Sequence, residues 1–71
     1  MPAISIEINE RESTFILRGA VTELTSNRRA KLYLNDFLDC KINNDNTISV
    51  HFEKGEKEDI LIKVRKMLSK F

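Results

Sequence analysis

His51 is the single histidine and Cys40 the single cysteine of the 71 residues. An imidazole titrates near neutral pH and can relay protons. Along the alternating stretch Thr47–Phe52, Ser49 and His51 point to the same side, away from Ile48, Val50 and Phe52. A working Ser–His pair also needs an orienting third group and an oxyanion donor set. Nothing near it in the chain supplies them, so His51 is read as a solvated strand residue and no catalytic residue is expected. Cys40 lies beside Asp39 and Lys41, at the expected end of a helix. A reactive thiol wants the opposite, positive end, so Cys40 is read as a small apolar filler. Asn43, Asp45 and Thr47 alternate like calcium ligands, but Ile48 and Lys54 stand where the loop requires Gly and Glu. Only Gly19 and Gly55 are available for phosphate cradles, too few for either nucleotide-binding fingerprint. No metal or cofactor is expected.

Charge carries more information. The 12 Lys+Arg nearly balance 11 Asp+Glu, yet the middle of the chain, Asp36 to Asp59, is acidic, and the final segment from Ile60 is purely basic. Arg28, Arg29 and Lys31 cluster at the start of one helical pattern, and Lys63 and Lys66 lie on the last. Basic side chains on helices neutralise phosphates, so these five are the candidate nucleic-acid contacts. Tyr33 is read as the candidate stacking platform, with Phe15, Phe37 and Phe52 assigned to the core. The last helix also combines an apolar stripe with four basic residues, as interfacial helices do. The sheet needs that stripe as cover, so no membrane role is expected.

These residues must be carried by a small set of elements. Ile4–Ile8 alternates apolar and polar, a half-buried strand. Asn9–Glu12 is a short connection. A second alternation follows from Ser13, with Phe15, Leu17, Gly19 and Val21 on one side and Thr14, Ile16, Arg18 and Ala20 on the other; the two strands form a hairpin. Thr22–Asn27 is rich in capping residues. Ala30, Tyr33, Leu34, Phe37 and Leu38 then recur at helical spacing, predicting a helix capped by Thr25 or Ser26 and running to about Asp39. Its rival is a strand through Lys31–Leu34. Asn43–Asn46 is a turn, Lys41-Ile42 a short strand pairing back across it, and Thr47–Phe52 a further strand. Ile60, Leu61, Val64, Met67, Leu68 and Phe71 trace one stripe of a helix over Glu56–Phe71, with acids first and bases last, as the macrodipole favours. An Asp59–Lys63 ion pair fits that spacing.

The expected fold is α+β: a two-layer sandwich in which a small, mainly antiparallel sheet carries helices on one face, in the order strand, strand, helix, strand, helix. The pairing partner of the last strand is left open. Residues 1–71 form a single domain that hides only about 60% of its unfolded surface. With no disulfide available, a homodimer or a neighbouring domain would supply the missing support. The stripe runs out to Phe71, which suggests the N-terminal portion of a longer protein. No apolar run nears the roughly 18 residues of a membrane span, and Met1–Glu10 lacks a signal-peptide pattern; the expected location is the cytoplasm.

Arg29-Ala30-Lys31-Leu32 through Phe37-Leu38-Asp39-Cys40, then Asn43–Asn46, Ile48-Ser49-Val50 and Ile60 to the closing Met67-Leu68-Ser69-Lys70-Phe71, make a helix, a polar turn, a strand and a second helix. This order resembles the small α+β accessory segments that precede the motor core of Swi/Snf-type superfamily two helicases. The resemblance implies an N-terminal accessory module that contacts nucleic acid; no site residue transfers through it. The expected function is a non-enzymatic accessory or interaction domain touching nucleic-acid phosphates or a neighbouring protein domain. The alternative is a stand-alone protein-binding module, of the phage or mobile-element inhibitor type, acting through the acidic middle or a strand edge.

Overall fold

The computed structural model describes residues 4–19 and 21–69. The first alternation becomes β1, Ile4–Asn9, and the second β2, Thr14–Gly19, paired antiparallel with Ile6 opposite Leu17 and Ile8 opposite Phe15. The Asn9 side chain organises the connection by accepting the Glu12 amide at 3.1 Å, and Ser13 takes a positive φ of 54° at its end. The hairpin is as expected.

The second alternation stops sooner than its pattern suggests. Gly19 adopts φ 116°, a region open in practice only to glycine, and the chain leaves the sheet there. Val21, expected on the strand, instead opens a short helix, α1, Val21–Ser26, and is fully buried. A separate helix, α2, spans Arg28–Phe37. Its cap is Asn27 rather than Thr25 or Ser26: the Asn27 side chain accepts the Ala30 amide at 3.1 Å, and its backbone is extended. A six-residue run holding Thr22, Thr25, Ser26 and Asn27 carries enough signal for a start, but not for choosing among them.

At the other end, α2 stops at Phe37, and Leu38 turns extended. Asp39 and Cys40, expected on the helix, join the predicted Lys41-Ile42 pair as β3, Asp39–Ile42. The reason is long-range: Cys40 pairs with Val50 and Ile42 with Ile48 across the Asn-rich turn. The other half of this hairpin is β4, Ile48–His51. Thr47, expected on the solvent face of that strand, belongs to the turn and is only 4% exposed.

The open question of partnership resolves to β2 beside β4, giving an antiparallel sheet ordered β1-β2-β4-β3. Two rows of side chains cross the covered face, Ile6–Leu17–Ile48 and Ile8–Phe15–Val50. Leu24, Ala30, Leu34 and Leu38 from the first helical region pack on this layer. So do Ile60, Val64 and Met67 from α3, Lys57–Leu68, forming one apolar cluster. Phe52 completes it, its ring 4.9 Å from that of Phe15 at 42°. The chain is therefore the expected two-layer α+β domain, with α1 and β3 as distinct elements. Glu58 and Asp59 begin α3, while Arg65 and Lys66 end it, as the macrodipole favours. The Asp59–Lys63 ion pair is not formed; exposed pairs of this kind contribute little and need not close. Ala20, Lys70 and Phe71 lie outside the described residues, as does the side chain of Phe37.

Two substitutions separate cap from core. Asn27→Ala should lower unfolding free energy by about 1 kcal/mol, whereas Asn27→Asp, which keeps the acceptor, should be close to neutral. Leu17→Ala, at a position with 0% exposure, should cost about 2–5 kcal/mol. Urea unfolding followed by far-UV circular dichroism measures both; a smaller loss for Leu17→Ala than for Asn27→Ala would contradict this packing.

Candidate functional site

The sheet face away from the helices is solvent-facing and polar. Strand register assembles two rows on it: Glu7–Ile16–Ser49–Lys41 and Asn9–Thr14–His51–Asp39. His51 is thereby brought beside Asp39, twelve residues earlier, with Nδ1 to Oδ2 at 3.5 Å; Glu53 Oε1 lies 3.9 Å away. Sequence distance hides this group, and only the Asp39–His51 register signals it. The site is open: side-chain exposure is 40% for His51, 83% for Asp39 and 76% for Glu53. All three side chains reach solvent, where charge–charge interactions are weak. Ser49 is not directed at His51; its hydroxyl accepts from Asn43 Nδ2 at 2.8 Å. Thr14 Oγ1, in the same row as His51, is covered and makes no hydrogen bond among the described residues.

Cys40 is half-buried on the covered side of β3, its thiol directed at the Leu34 carbonyl at 3.6 Å. Burial, reinforced by the Asp39 charge, pushes its pKa up. That disfavours the thiolate, and the filler reading stands, on a strand rather than at a helix end.

The turn residues spend their polar atoms on one another. Thr47 donates its hydroxyl to Asp45 Oδ1 at 2.6 Å, Asn43 Nδ2 donates to Thr47 Oγ1 at 3.0 Å, and the Asn43 amide bonds the Thr47 carbonyl at 2.8 Å. Thr22 Oγ1 on α1 donates to Asn46 Oδ1, clasping the turn from outside. These are the bonds of a closed hairpin turn, as its sequence predicts.

The five candidate phosphate contacts are all exposed, and none makes an ion pair with a described residue. They do not share one face. At about 100° per residue, Arg28 and Lys31 lie roughly 60° apart on α2, but Arg29 and Lys31 are about 160° apart. Lys63 and Lys66 share one side of α3. The ion pairs that do form involve other cations: Arg18 with Glu7 at 3.1 Å, and Lys57 with Glu10 at 2.6 Å. The Glu10 hydrogen bond raises the Lys57 pKa and ties the start of α3 to the β1–β2 connection.

A feature outside the expected set lies between β1 and α3. Ile6, Ile8, Phe15 and Leu61 line a half-open cleft of about 240 Å³, with Lys57 and Arg65 on its helix side. Lys57, Leu61 and Arg65 are spaced four apart and form one ridge of α3. The predicted helical stripe contained Leu61, but not the gap left when α3 fails to close over an outer strand. Comparison with protein-family models, curated proteins and solved structures finds no match.

The hydrogen bond from Thr47 holds the Asp45 carboxyl below its usual range. A depressed carboxyl stabilises the fold above its unfolded pKa and loses that contribution as pH falls through the folded value. Asp45→Ala should thus unfold at lower urea than the parent at pH 7, with the gap narrowing below about pH 4. A gap that persists unchanged at pH 2 would show that Asp45 acts only through its shape.

Proposed function

We propose that the chain is a non-enzymatic protein-interaction module that binds an extended segment of a partner along the outer edge of β1, which pairs with no further strand among the described residues. The contrast between the two outer strands carries this reading. β3 is four residues long and bears Asp39 and Lys41, the short, charged form that discourages further pairing. β1 has six residues and no proline, and its single charge, Glu7, is paired with Arg18 on the neighbouring strand. Ile8 at 43% exposure leaves apolar surface beside that edge. Unpaired backbone groups next to an apolar cleft are the ingredients of strand addition: main-chain bonds supply affinity and alternate side chains supply selectivity.

Random peptides selected on the immobilised chain should, once bound, slow exchange of outward-facing β1 amides between Ile4 and Asn9, read by NMR. Binders that leave those amides unprotected would remove the reading.

One observation favours nucleic acid as a second reading. Arg28 and Arg29 occupy the first turn of α2, which holds no acid and where the macrodipole opposes cations. Helix stability therefore does not account for them. The resemblance to helicase accessory segments points the same way. If they bind phosphate with Lys31, Lys63 and Lys66, affinity for a 16-base-pair duplex should fall linearly on a log–log salt plot, and Arg28→Ala should reduce that slope by about 1. No binding at 20 mM salt would end this version.

A further inference from the structure

From the cleft between β1 and α3 we infer the chemical class of the partner: an extended peptide with an acidic side chain two residues from an aliphatic one, the aliphatic group seated in the cleft and the acid on Arg65. This partner class rests on the edge-binding reading above.

Three features support it. First, spacing agrees. Leu61 and Arg65 are one helical turn apart, about 6 Å along the axis, and alternate side chains of a strand are about 6.8 Å apart. Ile6 and Ile8 of β1 line the same cleft as Leu61 and Arg65 of α3, so a peptide added at β1 with this spacing sets neighbouring same-side residues against the apolar wall and the guanidinium. Second, the wall suits an aliphatic group, since Ile6, Ile8, Phe15 and Leu61 contribute carbon to it. Third, the charge available is positive and uncommitted. Lys57 already holds Glu10, whereas Arg65 forms no ion pair among the described residues. A guanidinium also takes a carboxylate in a two-point fork that an ammonium cannot match.

The probes are acetylated, amidated octapeptides that alternate threonine with valine, leucine, aspartate and valine, made with leucine before aspartate and in the reverse order. One order should bind, measured by fluorescence anisotropy. Lysine in place of aspartate should weaken it roughly tenfold, and Arg65→Glu should reverse the preference. Arg65→Gln, which keeps a long uncharged side chain on α3, should give an intermediate loss. Methylation of alternate peptide nitrogens should abolish binding by blocking strand addition.

Equal binding of the aspartate and lysine probes, or indifference to both Arg65 substitutions, would overturn the partner class; if β1 amides were still protected, edge binding itself would survive. Failure of both orders to bind at millimolar concentration would also overturn the partner class. Protection of β1 without peptide, accompanied by a doubled mass in sedimentation, would make the occupant a second copy and defeat this inference.

Discussion

Pairing of β2 with β4 is the constraint on which the rest of the structure depends. It joins Phe15 to Val50 and Leu17 to Ile48, residues more than thirty apart in the chain. Closing a loop of that length costs entropy before any contact is gained, and the intervening helices recover it by packing on the layer thus formed. Phe15, Leu17, Ile48 and Val50 are almost wholly inaccessible to water. The hairpins on either side, β1 with β2 and β3 with β4, are local and would form only marginal two-stranded units alone. Joined through the central pair, they become one surface broad enough for α2 and α3 to cover.

The same arrangement produces unequal margins. The β3 edge is short and charged; the β1 edge is longer, and α3 crosses beside it without sealing the gap over Ile6 and Ile8. A small domain has few helices to spend on its sheet, so an imperfectly covered outer strand follows from size as well as from sequence. Among the described residues that margin, rather than the polar face holding His51, combines apolar surface, backbone groups that pair with no other strand and a cation that forms no ion pair. The His51 group has charge but no enclosure, and electrostatic effects weaken in water.

Local pattern was most informative where period and burial coincide. Thr14 to Leu17 and Ile48 to Val50 alternate because one side of each strand is buried, and Ile4 to Ile8 alternates with its apolar side only partly covered. The stripe from Ile60 to Leu68 repeats at 3 and 4 because one side of the helix is buried. Local pattern and fold part where two local signals compete. Val21 continues a strand alternation, but Gly19 ends it by its backbone angle. Asp39 and Cys40 continue a helical run, but pairing with β4 outweighs helix propensity, a weak preference that tertiary context overrides. Of the site, the basic residues on α2 and α3 were legible as exposed cations, whereas the cleft was not, since a cavity is a property of two elements and their separation.

The α+β class, and the type and apolar side of β1, β2, β4, α2 and α3, were therefore written in the order of the residues, because burial on one side imposes a period that a single chain displays. Strand order, the meeting of His51 with Asp39, and the opening beside β1 arose only on folding. Each depends on which distant segments share a ladder or a surface, and short-range periodicity does not encode that choice.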